Sequence, residues 1–347
     1  MDGRCRVPED EASDQLILDS GAGIEGIIPV DSTPHACIGN EAANQAGSFA
    51  LPPLKPALAY EQQVSLMRAR GLTVPDESKA LELLAETNYY RLRGYWLTLE
   101  NEAGFKAGTS FDDIWDIYAL DSELRLWLWS AIAPVEIKLR TSFAYHTAHA
   151  LGPQGYEDSA NYSNVAEHTK SMKSLARERD RALRDGVPCV KHNIEKYGVL
   201  PIWAAVEIMS MGTVSRLYGN LSGRASYEDG TTVRAAIAHD FDVKTPYLTS
   251  WLRHLTYVRN ICGHHNRFYN RMMTSRPKLL KMDLAVADSA KQFPTFIVLK
   301  RLYEHSWPER WESLYESLTE SVEAHGGVDL RPMGFPDDWR SLLELAQ

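Results

Sequence analysis

Apolar residues recur every three or four positions along most of the chain beyond about residue 54. Between residues 201 and 218, for example, Ile202, Ala205 and Met209 would share one side of a helix. Alternating runs of β-branched residues, the usual sign of half-buried strands, are few. The pattern therefore predicts an all-α bundle with a small hairpin around residues 95–105.

Residues that start or stop helices divide this pattern into segments. Gly71 follows the first segment, Pro75 opens the second, and the stretch 110–113 resembles a capping box at the start of a long third one. Pro134 lies inside that long segment and predicts a kink or a break there. The predicted helices cover residues 60–70, 75–87, 110–149, 164–184, 201–218, 232–238 and 246 into the segment 259–271, followed by two or three more.

Residues 1–53 differ from the rest because they lack sustained periodicity and are rich in Gly, Ala, Ser, Asp and Glu. We expect a disordered acidic extension at 1–53 and a helical domain at 54–347. The longest uncharged apolar run, residues 126–135, is about half the length of a membrane span, and the first residues do not resemble a signal peptide. The four cysteines are scattered, which argues against a disulfide framework. The expectation is a cytoplasmic protein without a membrane partner.

The net charge of −9 is distributed unevenly. Residues 1–50 carry nine acids and two bases, and residues 302–347 carry ten acids and three bases. Between Asp242 and Asp283 there are eight Lys or Arg residues and no acid. Local charge governs the attraction of phosphate groups, so this stretch is a candidate nucleic-acid contact in spite of the acidic total.

The acid-free stretch contains Arg259-Asn260-Ile261-Cys262-Gly263-His264-His265. Histidine takes and gives protons near neutrality, and the guanidinium fork of arginine matches phosphate oxygens. Cleavage of an RNA phosphodiester without a metal needs both a cation and a proton shuttle. We expect Gly263 to end the helix and to let the imidazoles turn back toward Arg259.

An Arg followed by a His at this spacing is a weak pattern by itself. Arg234 to His239 and Arg140 to His146 fit it equally well. Their surroundings are a plain helix interior beside acids and an aromatic helix, respectively. Only Arg259 to His264 combines a following amide, a preceding glycine and an acid-free basic surround.

This element resembles the Arg-polar-x3-His signature of HEPN ribonucleases, and the chain is similar to the Abi-like (abortive infection) family of bacterial defence proteins. The resemblance implies a HEPN-like helical bundle that pairs with a second copy. It also implies metal-independent endoribonuclease activity in antiphage defence or as a toxin with an antitoxin partner. The blocks that carry the resemblance span about residues 55–305 and lie at 60–63, 70–72, 88–96, 120–125, 136–141, 200–203, 209–212 and 255–271.

The resemblance makes Arg259 and His264 the catalytic candidates. His264 would act as general acid or base on the 2′-OH or the leaving oxygen, and Arg259 would neutralise the phosphorane. The products would carry 2′,3′-cyclic phosphate and 5′-OH ends. Asn260 and His265 would support them, with His265 an alternative proton carrier, and Glu136 would either hold Arg259 or simply pair with Arg140. The structural alternative for Arg259 and His264 is capping of the helix end.

Four further cations, Arg253, Arg267, Arg271 and Lys278, are the expected RNA contacts, although an ordinary solvated face is the alternative. Cys262, His264 and His265 lack a fourth ligand nearby and match no standard zinc spacing, so we expect no metal and no cofactor. Since one chain supplies one motif, a homodimer is expected. RNA, as substrate or as a structured regulator, and an antitoxin are the other expected partners. The competing function is a non-catalytic RNA-binding or regulatory module.

Overall fold

A computed structural model describes residues 54–345 of the chain. The extension predicted at residues 1–53 lies outside this range. Within it, α-helices make up most of the structure, and a single two-stranded hairpin lies between the third and fourth helix. The predicted all-α class is therefore confirmed, and the predicted hairpin lies within residues 95–105.

The bounds of the elements follow the start and stop signals closely at α1, α2, α5 and α10. The elements are α1 Tyr60–Ala69, α2 Glu77–Thr87, α3 Tyr89–Arg93, β1 Glu100–Asn101, β2 Gly104–Phe105, α4 Phe111–Leu151, α5 Val165–Arg184, α6 Pro188–Tyr197, α7 Ile202–Ile208, α8 Met211–Asn220, α9 Val233–Asp240, α10 Thr245–Gly263, α11 Phe293–Ser306, α12 Pro308–Ala324 and α13 Trp339–Leu343. The strands pair antiparallel with Glu100 opposite Phe105.

Helix α4 is the centre of the bundle. It is 41 residues long, begins with a capping box in which the Ser110 hydroxyl accepts from the Asp113 amide, and contacts α7 to α12. The helix is not broken at Pro134, one of the two outcomes expected there. An interior proline costs about 3 kcal/mol. Packing outweighs this cost, because each buried Leu, Ile or Val contributes about 1.5–3 kcal/mol and four flank the proline: Leu128, Ile132, Val135 and Leu139.

One predicted helix was wrong and one helix was not predicted. The segment 201–218 is two helices, because Met209 is extended and the Ser210 side chain accepts from the Thr213 amide to start α8. The chain breaks after α5, and the helix that follows, α6, was not predicted. Pro188 lies in its first turn, where a missing amide hydrogen costs nothing.

One hydrophobic core connects helices from α1 to α13. Its largest fully buried side chains include Trp96, Trp251 and Trp311. No helix among residues 54–345 combines the length and the apolar character that crossing a bilayer requires. Helix α10 packs between α4 and α8, and this packing positions the segment that sequence analysis singled out.

Candidate active site

One face of α4 carries a row of polar and aromatic side chains. The row consists of Asp121, Arg125, Trp129, Glu136 and Arg140, spaced by four, four, seven and four residues. Because an α-helix turns once every 3.6 residues, all five lie within about a third of its circumference. The row faces the C-terminal half of α10 and the turn that follows it.

Helix α10 presents Arg259 at the border between its buried face and solvent. Lys244 is its N-cap residue, and Pro246 lies in its first turn. The buried face repeats at helical spacing through Leu248, Trp251, Leu252, Leu255, Val258, Ile261 and Cys262. Arg259 follows Val258 directly, and its side chain retains 36% of its accessible surface.

The guanidinium of Arg259 is held by an aromatic ring and one distant carboxylate oxygen. Its central carbon lies 4.7 Å from the centroid of the Trp129 ring, which is a cation–π contact. Its Nε lies 3.6 Å from Glu136 Oε2, too far for a hydrogen bond, and this buried Nε has no hydrogen-bond partner. No side-chain hydrogen bond from Arg259 occurs within residues 54–345. The guanidinium is thus fixed in place with its donors still open to an anion.

Glu136 lies near both Arg140 and Arg259, the two arginines considered as its partners. Arg140 donates to Glu136 Oε1 at 2.5 Å and to the backbone carbonyl of Val206 in α7. The Glu136 side chain keeps only 14% of its accessible surface. Arg140 is therefore the closer partner of this carboxylate, and Arg259 is only partly neutralised by it.

The chain leaves α10 through a turn in which His265, not Gly263, has the left-handed backbone. The amide of His265 donates to Cys262 O and that of Asn266 donates to Ile261 O, the hydrogen bonds of a Schellman motif. His265 has φ 54° at the position that glycine usually occupies. Gly263 is the last residue of α10, as expected, and the left-handed residue of the turn lies two positions further on.

Gly263 makes room for Trp129 instead. A Cβ added at this glycine would lie 3.0 Å from Cζ3 of the Trp129 ring. The absence of a side chain thus lets the ring lie under Arg259 and close to the helix end.

Two arginines from distant parts of the chain hold the carbonyl oxygen of His265. Arg91 of α3 donates to it at 2.5 Å, and Arg125 of α4 donates to it at 2.8 Å. Both belong to sequence blocks that carry the family resemblance. The structure assigns these blocks a common contact, since they converge on the backbone of the His264–His265 turn.

The backbone after this turn is anchored by Asp121, which is fully buried. Its Oδ1 accepts from the amides of Phe268 (3.0 Å) and Tyr269 (2.6 Å), and its Oδ2 accepts from the Tyr95 hydroxyl at 2.7 Å. Arg125 Nε lies 3.3 Å from the same Oδ2. Burial raises the pKa of Asp121, an effect that the Tyr95 and Arg125 donors oppose. Burial and the neighbouring carboxylate raise the pKa of Tyr95, so its hydroxyl stays protonated and donates.

The predicted catalytic and supporting residues lie together at the C-terminal end of α10. Asn260, His264 and His265 are all exposed, and the His264 amide donates to the Asn260 carbonyl. Within residues 54–345 no hydrogen bond joins the His264 imidazole to the Arg259 guanidinium. Both side chains lie near the end of one helix and have surface open to solvent, but they do not form a preformed pair.

The four cations expected to contact RNA differ in how they are placed. Arg253 and Lys278 are exposed. Arg271 is partly buried and donates to the Tyr257 hydroxyl at 3.1 Å. Arg267 is also partly buried, lies against Gly94 and has its pKa lowered by burial. Arg267 therefore packs the turn against α3, whereas Arg253 and Lys278 have side chains open to solvent.

The competing pair Arg140–His146 has other partners. Arg140 is bound by Glu136 and the Val206 carbonyl. His146 lies between the Tyr227 hydroxyl at 2.7 Å and Asp240 at 2.9 Å. Neither side chain of this pair has the open surface found at Arg259 and His264.

Sequence reasoning missed Arg91, Asp121, Arg125 and Trp129 as members of the site. Trp129 lies in a Trp- and Leu-rich stretch of the chain, yet 43% of its surface is exposed. The spacing of the row on α4 was the available signal, since polar residues at intervals of four and seven share one helix face. Arg91 had no such signal, because only the folded chain brings α3 to the end of α10.

Metal-ligand geometry does not occur in the described part of the chain. Among residues 54–345, no three His, Cys, Asp or Glu side chains lie close enough together to hold an ion. Cys262 is buried next to the turn, and burial raises the pKa of its thiol to about 12. It therefore packs as an uncharged apolar side chain.

Comparison with known proteins gives one match. The model of the family described as Abi-like protein matches residues 82–270, more than half of the 347 residues. The match begins in α2 and ends just after the His264–His265 turn, so it contains the α4 row and α10. Neither a curated protein nor a solved structure matches the chain. The chain belongs to the family of Abi-like proteins.

Proposed function

We propose that this protein is a metal-independent endoribonuclease with a HEPN-type active site, acting in abortive infection or as a toxin. The observation that carries the proposal is the end of α10. There, a guanidinium with open hydrogen-bond donors lies five residues from an exposed imidazole, in an acid-free stretch of the chain. Membership of the Abi-like family supports the biological role.

In this mechanism the 2′-OH of the RNA is the nucleophile. An imidazole, from His264, takes the hydroxyl proton as the oxygen attacks the adjacent phosphorus. Arg259 neutralises the charge that builds on the phosphorane oxygens. A second proton donor protonates the departing 5′-oxygen, so one product carries a 2′,3′-cyclic phosphate and the other a 5′-OH. Arg253 and Lys278 would contact flanking phosphates, and Asn260 would orient the imidazole or the phosphate.

The mechanism needs a base and an acid, and a second copy of the chain would supply the second imidazole. An apolar stripe on α4 is the surface we assign to this pairing. It consists of Leu126, Trp129, Ala133 and Ile137, with 71%, 43% and 63% of the surface exposed at Leu126, Trp129 and Ile137. Trp129 belongs to both the stripe and the Arg259 site. A copy docked on the stripe would therefore bring its own Arg259 and His264 close to those of the first.

The test is cleavage of a single-stranded RNA oligonucleotide in the presence of EDTA. We expect cleavage with cyclic phosphate ends, and no cleavage of DNA of the same sequence or of RNA with 2′-O-methyl groups. Arg259→Ala and His264→Ala should each lower kcat by at least about a thousandfold, the size of effect seen when one charged or proton-transfer group is removed. Arg177→Ala and His192→Ala, at exposed positions on α5 and α6, are the matched controls.

A non-catalytic RNA-binding module is the second candidate, favoured by the exposed cations Arg253 and Lys278 on the acid-free stretch. It predicts RNA binding that falls with rising salt, but no cleavage under any condition. Unchanged cleavage in both Arg259→Ala and His264→Ala would reject the proposed active site. Growth arrest in a bacterial host that depends on both residues would support the toxin role.

A further inference from the structure

The backbone of His265 is in a conformation that histidine rarely adopts. Its φ of 54° puts its Cβ close to the following carbonyl, a cost that glycine does not have. Such conformations persist where the surroundings impose them, and they concentrate at functional sites. Contacts from elsewhere in the fold therefore hold His265 in this conformation.

Two hydrogen bonds to the His265 carbonyl oxygen, from Arg91 and Arg125, hold this backbone in place. Arg125 is buried and already bound to Asp121, so it belongs to the buried network that anchors residues 268–269. Arg91 is different. It is partly exposed, forms no salt bridge within residues 54–345, and otherwise only lies 5.7 Å from the Tyr118 ring. Its one hydrogen bond in the described chain is the one to His265 O.

This contact also lies next to the proposed chemistry. The φ of His265 sets the direction in which the His265 imidazole and the chain from Asn266 onward leave the end of α10. A left-handed residue that relaxed to ordinary helical or extended backbone would break the hydrogen bond from the Asn266 amide to Ile261 O. The position of the His265 imidazole at the end of α10 therefore depends on His265 remaining left-handed.

We propose that Arg91 is a positioning residue, which holds His265 left-handed through its carbonyl oxygen and thereby fixes the direction of the His265 imidazole, the alternative proton carrier at the end of α10. The inference rests on the proposed nuclease function for its effect on rate. The clamp itself, Arg91 to His265 O, is testable without any activity. Arg93, exposed on the same helix and without a hydrogen bond or salt bridge in the described chain, is the matched control.

The first measurement is hydrogen–deuterium exchange of the full-length protein, followed in the peptide that covers residues 264–270. Arg91→Ala should speed exchange in this peptide and nowhere else, whereas Arg93→Ala should not. In a His265→Gly background the same substitution should have little effect, because glycine adopts the left-handed backbone without a clamp. Unchanged exchange in Arg91→Ala, or an equal increase in both backgrounds, overturns the clamp.

The second measurement is RNA cleavage with kcat and KM determined separately. Arg91→Ala should lower kcat about tenfold or more, as small displacements of a reacting group do, with KM and RNA affinity unchanged within about twofold. Arg91→Lys, which keeps a donor, should recover part of kcat. A variant that loses RNA affinity at constant kcat would make Arg91 a phosphate contact and reject the positioning role. If Arg259→Ala and His264→Ala cleave normally, the nuclease proposal fails while the exchange data still decide the clamp.

Discussion

At the level of single residues, the site depends on groups whose partners are incomplete. The guanidinium of Arg259 stacks on the Trp129 ring and lies near one oxygen of Glu136, but it has no hydrogen-bond acceptor in the described chain. Its Nε is buried and unpaired, which is costly in a protein that only has to fold. Its Nη donors are unpaired but not buried, and an arriving phosphate would bind them, which is the physical reason to regard these open donors as functional.

Gly263→Ala tests whether the position of the Trp129 ring matters. The added Cβ would meet the ring at 3.0 Å, so the ring must shift away from Arg259. Alanine is about 1 kcal/mol better than glycine in a helix, which offsets the crowding, so we expect the free energy of unfolding to change by less than about 1 kcal/mol. Cleavage should nevertheless fall. Gly223→Ala, where a Cβ meets nothing, serves as the comparison, and equal activity of the two variants would contradict the prediction.

At the level of elements, α10 is fixed along its length by polar contacts that the helix pattern does not show. His254 is fully buried, with its Nδ1 2.6 Å from Ser275 O and its Nε2 2.9 Å from the Thr295 hydroxyl of α11. The carbonyl can only accept, so Nδ1 carries a hydrogen. Burial lowers the pKa of the ring, which is therefore neutral near pH 7. This histidine ties the helix that bears Arg259 to the segment around residue 275 and to α11.

The neutral state of His254 predicts a loss of stability in mild acid. Burial lowers its pKa from 6.5 to about 4. Between these pH values His254 binds a proton in the unfolded chain but not in the folded chain. The stability that the neutral ring contributes is therefore fully present above about pH 6.5 and falls as the pH falls toward 4. At pH 5 the resulting loss in the free energy of unfolding, relative to pH 8, amounts to about 2 kcal/mol.

Urea unfolding of the wild type and of His254→Gln at pH 8 and pH 5 checks this contribution. The variant should be less stable at pH 8 because two buried contacts are lost, but its further loss on going to pH 5 should be smaller than that of the wild type by about 2 kcal/mol. His192→Gln, at an exposed position on α6, should retain the wild-type dependence. Parallel losses in all three proteins would show that His254 does not govern the acid sensitivity.

At the level of the whole molecule, the exposed stripe on α4 is the feature that a single copy leaves unexplained. Large apolar side chains at 126, 129 and 137 follow one side of the central helix and face solvent. Contiguous exposed apolar surface of this kind usually marks an interaction site. Its continuity with Arg259 through Trp129 favours a second copy as the occupant.

Ile137→Glu tests the pairing. A carboxylate on the stripe would be buried against the partner without a counter-ion. The substitution should therefore raise the Kd of the dimer at least about a hundredfold. Sedimentation velocity measures the change, and cleavage should fall with the dimer fraction. Tyr197→Glu on α6, at a position of similar exposure, should leave the assembly intact. A wild-type protein that remains monomeric at high concentration would contradict the assignment of the stripe.

Local chemistry already determined the all-α class and several helix ends, and it singled out the Arg259–His264 segment. Capping residues such as Ser110 and the repeating apolar face of α10 act within a few residues, so they can be recognised in the sequence. The continuation of α4 through Pro134 and the split at Met209 depended on packing energies instead. The pattern alone left the first open between a kink and a break, and it missed the second.

Folding in three dimensions brought together partners that are far apart in the chain. Glu136 meets Arg259 across 123 positions, and Arg91 meets the His265 carbonyl across 174. These contacts follow from the register and angle at which α4 and α3 pack on α10, which no short-range signal encodes. The left-handed backbone of His265 is the clearest case, because histidine gives no local signal for this conformation and two distant arginines donate to its carbonyl oxygen.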